Sequence, residues 1–465
     1  MTTSLDAWLY GTHVATFTPG AREDAVEITW TDAAQVRWGV NARVLSHLLP
    51  IPRPGQRSHP ARARVWLEGL LPEGSARTHL AMDAGVNPDD TLAFLAHYGR
   101  DTAGAVILVP AGAPEPDKVG STEPVTETQI GAMLRRAEKR AGPGGNTRDS
   151  LTSLAGLEPK IALARSADGT WRRCLDGAAS THILKVSRPA SSASHDVIDT
   201  EAAALDLARR IGLTTISAEI ATFDGVRCIV VSRYDRHIHP GGRVERTHQE
   251  DAAQALGLDT RDAERKFQHG KALPCLAAIA DVIRTGGAEP DQLLALTTFN
   301  LAVGNTDAHA KNISFMRPPD GTAYLAPAYD VAMHMHSDVS SGIFAMDVAG
   351  ERRMAQLTAT HLVDEAVSWG LPRSRAARAV HGTLAGLSEA LREVERDAHA
   401  GVSHAAWSTV EARTEALLKQ ADPLDAPSRR PRVQAAGSPQ GRAPKGTPSG
   451  GQFSVKGLPE PDVHL

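Results

Sequence analysis

Cysteine is scarce. The 465 residues hold three, Cys174, Cys228 and Cys275, odd in number and scattered along the chain. That argues against a disulfide framework and fits a reducing compartment. No Cys-x-x-Cys pair and no His-Glu-x-x-His run occurs, so the common zinc signatures are missing. A Walker A motif and Gly-x-Gly-x-x-Gly are missing too, which removes support for P-loop and dinucleotide readings. Aromatic residues make up only 4%, leaving Ala, Leu, Val and Ile to build the core. No stretch approaches the roughly 20 apolar residues of a membrane-spanning helix, so no membrane association is expected. Neither sign of charge dominates: 50 basic and 54 acidic side chains leave a net charge of −4. Such a balance gives no global pull toward nucleic acid or acidic lipid. The first fifteen residues carry Asp6 and no basic patch ahead of an apolar run. A secretory leader is therefore not expected, and the expected location is cytoplasmic.

The length suggests about three compact units at roughly 150 residues each, and the pattern divides into four segments. Residues 1–110 read as a mixed α/β domain, with strands around Gly11, another at Val26–Trp30 and a helix near Ala76–Ala84 that stops at Gly85. Residues 111–147 open with Pro, Gly and acidic residues and read as a linker. Residues 148–425 carry the chemistry. Residues 426–465 hold seven Pro and six Gly, with six basic residues against two acids. This tail cannot bury enough surface to offset its ordering entropy and is expected to be disordered.

Within the third segment, Lys160–Arg165 and Trp171–Leu175 flank Asp168-Gly169, a strong hairpin signal. Thr181–Val186 reads as a strand with Lys185 near its end. A helix capped by Asp199 or Thr200 carries Glu201 and stops at Gly212. A second hairpin turns at Asp224-Gly225 and runs into Ser232-Arg-Tyr234. This order predicts an α+β fold with two lobes, as in protein kinases. A small β-rich lobe extends to about 231, a hinge covers 232–234, and a large helical lobe follows.

Later, a helix over Asp291–Val303 stops at Gly304 and is followed by Asn305-Thr-Asp-Ala-His-Ala-Lys-Asn312. Asp307 and Asn312 have the spacing Asp-x-x-x-x-Asn, and after a strand–turn–strand unit comes Tyr329-Asp330. Kinases use a loop Asp for the hydroxyl proton, with a loop Asn and a second Asp for Mg²⁺. A transferring phosphoryl group spreads charge over its oxygens, so the metal and one hydroxyl must be placed in line with it. Each signal alone is weak. The joint order of Lys185, Glu201, hinge, Asp307, Asn312 and Asp330 favours a kinase site by a wide margin. His248-Gln-Glu-Asp251 reads as a helix cap.

These stretches carry a family resemblance. Ser153–Lys160, Thr181–Lys185, His248–Asp251, Asn305–Asn312 and Tyr329-Asp330 resemble HipA-type serine/threonine kinases, the toxin halves of bacterial type II toxin–antitoxin pairs. Leu70-Leu-Pro-Glu-Gly74 and Gly99–Gly104 look like that family's N-terminal domain. The resemblance implies Asp307 as catalytic base and Asn312 and Asp330 as Mg²⁺ ligands. It implies that ATP is bound by Lys185, steadied by Glu201, and by the hinge residues Ser232, Arg233 and Tyr234, with His309, Lys311 and Tyr329 lining the nucleotide side. A phosphate-covering loop would run from Ala155 and Gly156 to Lys160, and Ser153 would be the autophosphorylated serine. A phosphate on Ser153 would set a dianion beside the ATP phosphates and expel the loop. The family loop usually reads Ala-Gly-x-Gln-x-Lys, whereas Glu158 and Pro159 stand here. The implied partners are a helix-turn-helix antitoxin like HipB and a protein substrate, for which aminoacyl-tRNA synthetases are one class. DNA would be met only indirectly, through the antitoxin. Two alternatives stay open: a catalytically weak, kinase-like co-repressor, and a small-molecule kinase.

Overall fold

The computed structural model describes residues 3–22, 25–56, 58–116, 120–140, 159–187 and 196–425. Ser153, Ala155, Gly156 and Glu158 of the expected phosphate loop, and the 426–465 tail, lie outside the described residues.

Residues Tyr10 and Gly11 both adopt positive φ (52° and 74°), the geometry of a tight hairpin turn. They join β1 (Leu5–Leu9) to β2 (Thr12–Pro19), and with β3 (Val26–Trp30) and β4 (Ile107–Pro110) these form a sheet ordered β3-β2-β1-β4. Helices α1 (Asp32–Trp38), α2 (Pro60–Glu68), α3 (Gly74–Ala84) and α4 (Thr91–Tyr98) complete this domain. Its own core gathers Leu5, Leu9, Phe17, Trp66 and Phe94.

A six-stranded antiparallel sheet follows, ordered β5-β7-β6-β8-β10-β9. Its strands are β5 (Thr122–Pro124), β6 (Lys160–Arg165), β7 (Trp171–Cys174), β8 (His182–Val186), β9 (Ala218–Phe223) and β10 (Val226–Ser232). Both Asp-Gly turns form where the sequence places them; Asp224 and Gly225 take φ of 47° and 78°. The 111–147 stretch is more than a connection. Thr122–Pro124 pairs with β7, and α5 (Glu127–Arg140) buries Ile130, Met133 and Leu134 against Leu163, Leu184 and Val230. That i, i+3, i+4 stripe leaves an isolated helix with an unpaired apolar face, so it packs on the sheet. On the other face, α6 (Val197–Arg210) packs Ile198, Ala202 and Leu205 against Ile229 and Val231. Its N-cap position is Asp196, a few residues ahead of the expected Asp199 or Thr200.

The large lobe opens with a ribbon of β11 (Arg236–Ile238) and β12 (Val244–Arg246). A three-stranded sheet follows, β13 (His248–Asp251), β14 (Ser314–Arg317) and β15 (Tyr324–Leu325). Asp251 ends β13 and caps α7 (Ala252–Leu256) through a reciprocal capping box with Gln254, the role expected of that motif. Helices α8 (Leu276–Thr285), α9 (Asp291–Val303), α10 (Ala359–Ser368), α11 (Arg373–Glu393) and α12 (His404–Asp425) supply most of the rest. Ten of the thirteen residues of α9 are buried, so its C-terminal end is a fixed point from which the next loop departs.

Strand β13 is the seam between the N-terminal domain and the large lobe. The His248 ring donates from Nε2 to the Leu45 carbonyl at 2.8 Å. Glu250 is fully buried and accepts from Ser46 Oγ (2.6 Å), the His47 N–H (2.7 Å) and Arg317 Nε (2.6 Å). A Cβ on Gly104 would fall 2.7 Å from both the Gln249 nitrogen and the His248 ring, so only glycine lets the chains approach here.

Candidate active site

On β8, Lys185 lies in register with Lys160 of β6 and points its ammonium 2.7 Å from Glu201 Oε1 of α6. Lys185 and Glu201 are both buried. The same ammonium also contacts Asp330 Oδ1, which joins the small lobe to the large one. Burial works against charge on Asp330. Lys185, followed by Lys160 and His309, nevertheless holds its carboxyl well below the usual carboxylate range. The Asp330 side chain keeps 42% of its surface open. Its φ of 53° is a left-handed conformation that costs energy for any residue with a Cβ, and such strain tends to gather at functional sites.

The facing loop leaves α9 at Gly304, whose left-handed conformation (φ 77°) ends the helix. Asn305 ties the loop down at both ends. Its Nδ2 donates to Asn300 Oδ1 at 2.9 Å, and its Oδ1 accepts the Asp307 N–H at 3.0 Å. Asn312 Nδ2 donates to the Asp307 carbonyl at 2.9 Å, which closes the loop into a ring of hydrogen bonds. That bond engages the Nδ2 end of the Asn312 amide, and the residue lines the cavity. The Asp307 carboxylate is half exposed (51%), with His309 Nε2 at 3.7 Å. His309 is buried edge-on against Phe267, and burial, with Lys266 nearby, pushes its pKa down to about 3. The ring is therefore neutral at physiological pH.

Other expected residues have firm structural partners. The Lys311 ammonium sits 3.2 Å from Glu73 Oε1 and 3.7 Å from Asp251 Oδ2. Tyr329 donates its O–H to the Lys311 carbonyl at 2.7 Å and lies 2.6 Å from Ser314 Oγ, so it braces the loop from behind. Tyr234 stacks at a tilt on Tyr329, with ring centroids 5.3 Å apart, and donates to Gln249 Oε1 at 2.9 Å. Ser232 Oγ accepts the Ser217 N–H at 2.9 Å. The Arg233 guanidinium is buried and bonded to Asp235 (2.8 Å), Ser180 Oγ (2.9 Å) and the Thr102 carbonyl (2.9 Å). Its guanidinium anchors the connection between lobes to the N-terminal domain.

All described residues to which the sequence assigns a catalytic, ATP-binding or Mg²⁺-binding role line one cavity of about 300 Å³. Its apolar part includes Ile183, Ile216 and Val231, and its charged part includes Lys185, Asp330, Asp307 and Asn312. Sequence reasoning missed Gly69, Glu73 and Ala103, contributed by the N-terminal domain, and Lys266 from the large lobe, and it read Asp251 only as part of a helix cap. Glu73 falls within the Leu70–Gly74 motif, the one signal that pointed near it. Among the described residues no three His, Cys, Asp or Glu side chains are grouped to hold a metal by themselves. The Asp330 carboxylate and the Asn312 amide oxygen are hard donors. They suit Mg²⁺, which commonly takes one or two protein oxygens and completes its shell with phosphate and water.

Two family models cover most of the chain. The HipA N-terminal domain matches residues 5–109, and the HipA-like C-terminal domain matches residues 152–391. The protein Y4mE of Sinorhizobium fredii is 30% identical over 403 residues, covering 84% of this chain and 92% of that one. The serine/threonine-protein kinase toxin HipA of Shewanella oneidensis is 28% identical over 396 residues, 79% of this chain and 86% of that one. The solved complex of Shewanella oneidensis HipA, HipB and operator DNA contains a chain that superposes with a TM-score of 0.74 at 23% identity. The match covers 90% of this chain and 99% of that one. The α+β, kinase-like two-lobe fold with an N-terminal α/β domain is thus shared, and the chain belongs to the HipA family.

Proposed function

We propose that the protein is a Mg²⁺- and ATP-dependent serine/threonine protein kinase acting as the toxin of a toxin–antitoxin pair. The observation that carries this reading is the convergence of the Lys185–Glu201 pair, Asp330 and the Asp307–Asn312 loop on one cavity with an apolar slot. In this reading adenine occupies the slot bounded by Ile183, Ile216 and Val231, beside Ser232 and Tyr234. Lys185, oriented by Glu201, holds phosphate oxygens. Asn312 and Asp330 would hold Mg²⁺, which supplies charge neutralisation to the phosphates when bound. Asp307 orients the acceptor hydroxyl and takes its proton as the oxygen bonds to the γ-phosphorus, while the bond to the β–γ bridging oxygen breaks and ADP leaves. His309, neutral and buried, adds no positive charge of its own beside Asp307.

The relative from Shewanella oneidensis is named a kinase toxin, and its solved complex holds HipB and operator DNA. A HipB-like helix-turn-helix antitoxin is accordingly the partner proposed for this chain, with DNA met through it. The acceptor is a protein hydroxyl, with aminoacyl-tRNA synthetases one candidate class from the family resemblance. Ser153 is the proposed autophosphorylation site.

Incubating the protein with Mg²⁺ and labelled ATP, followed by mapping of phosphosites, tests the reading. Label on Ser153 is expected, with Asp307→Asn slowing its appearance by about 10²- to 10⁴-fold while nucleotide binding persists. Nucleotide binding without transfer to Ser153 or to any protein acceptor would refute it and favour the co-repressor suggested by Glu158 and Pro159.

A further inference from the structure

The Leu70–Gly74 turn of the N-terminal domain reaches the cavity, and its placement there is tightly fixed. Gly69 packs so closely on α7 that a Cβ would fall 2.2 Å from the Gln254 side chain. Gln254 in turn donates to the Trp66 carbonyl at 2.9 Å. Gly74 adopts a φ of 58°, which turns the chain into α3. Glu73 stands at the N-cap position of that helix but makes no side-chain capping bond. Its carboxylate is used elsewhere: Oε1 lies 3.2 Å from the Lys311 ammonium and Oε2 lies 3.5 Å from that of Lys266. All three side chains are at least 89% buried.

Lys311 lies between Asp307 and Asn312 in sequence, directly before Asn312. Its carbonyl is bonded by Tyr329 and its ammonium is ion-paired with Glu73, so Lys311 is held through both main chain and side chain. Asp251 is the other acid near Lys311, but it is farther away (3.7 Å), and its Oδ1 is already accepting the Gln254 N–H at 2.7 Å. Burial also pushes Asp251 up to about 6, and its charge acts on Lys311 alongside that of Glu73. Burial opposes charge on Glu73 as well, yet Lys311 and Lys266 hold its carboxyl below the ordinary range.

We propose that Glu73 is a positioning residue for phosphoryl transfer: from the N-terminal domain it holds Lys311, and with it the Asp307–Asn312 loop, in working geometry, so the kinase site is complete only with that domain in place. This rests on the kinase reading above. Loss of positioning without loss of binding lowers turnover, since displacements near 1 Å can cost about 10²-fold.

The experiment compares full-length wild type, Glu73→Gln and Glu73→Asp. One arm measures kcat for phosphoryl transfer and the affinity for Mg·ADP. The second measures modification of each lysine by an amine-reactive ester, read by mass spectrometry. Glu73→Gln is expected to lower kcat by about 10- to 100-fold with Mg·ADP affinity changed less than about threefold. Lys311 modification is expected to rise at least about fivefold while surface lysines stay constant. Glu73→Asp, which keeps the charge on a shorter stem, is expected to recover part of kcat, and it carries the test if Glu73→Gln does not fold. Unchanged kcat, unchanged Lys311 modification, or a loss traced wholly to nucleotide binding would overturn the proposal. If wild type itself transfers no phosphoryl group, the kinase reading fails. The labelling arm then still decides whether Glu73 holds Lys311.

Discussion

His248 titrates where the two halves of the molecule meet, and its replacement by glutamine isolates that effect. The ring is fully buried, donates to the Leu45 carbonyl and faces the edge of Trp66 at 6.4 Å. Burial pushes its pKa down from 6.5 to about 4. Between those values the unfolded chain binds the proton and the folded chain does not, so stability rises with pH and acidification destabilises the fold. Carrying that interval through the linkage relation gives a loss of about 2 kcal/mol between pH 8 and pH 5 from this ring alone. Glutamine can keep a donor toward Leu45 but cannot titrate. Its own packing cost is constant with pH, and His47 and His182, also pushed down to about 4, cancel in the comparison. Thermal melts of wild type and His248→Gln at pH 8, 7, 6 and 5 are the assay. The wild-type midpoint is expected to fall more than the variant's by about 4 °C across the range, taking roughly 2 °C per kcal/mol. Parallel curves would refute the claim that His248 is held neutral in the seam.

Arg317→Met leaves Glu250 buried without its cation and is expected to destabilise the protein by about 3–5 kcal/mol, read in urea unfolding; the Glu250→Leu, Arg317→Met double variant should recover much of that loss. Lys185→Met removes the ammonium shared by Glu201 and Asp330, and is expected to lower kcat/KM for ATP by at least about tenfold in a steady-state kinase assay, with the far-ultraviolet circular dichroism unchanged.

Local chemistry made much of the small lobe legible. The Asp-Gly pairs at 168–169 and 224–225 lie between alternating runs, and both hairpins form within a residue or so of the expected ends. The helix over Asp291–Val303 and its stop at Gly304 follow from apolar content and a residue that tolerates positive φ. Less legible was whatever depends on distant partners. The 111–147 stretch reads as a connection because its opening is rich in Pro and Gly. Its helix becomes part of the small lobe only through contacts with strands that lie further along the chain. Arg233 sits at the hinge in sequence, but its guanidinium is held by Asp235 and the Thr102 carbonyl, a choice set by buried charge. Glu73 and Lys311 are 238 positions apart, and no spacing rule connects them. The motif order shows which side chains belong to one site. It does not reveal which domain supplies the counter-charges beneath them.

Strand β13 has a consequence for how such proteins can be recombined. Its four consecutive residues serve different neighbours: His248 and Glu250 bond to the N-terminal domain, Gln249 receives Tyr234, and Asp251 caps α7 beside Lys311. A chimera that joins the first 110 residues of one relative to the remainder of another must therefore match a lock of at least two buried polar groups as well as a hydrophobic surface. A mismatch would take the Leu45 acceptor from His248 and leave Glu250 with Arg317 but without Ser46 and His47, and each lost buried partner costs about 1–3 kcal/mol. The two halves are in this sense a single unit of inheritance, and the peptide between them is a poor place to cut.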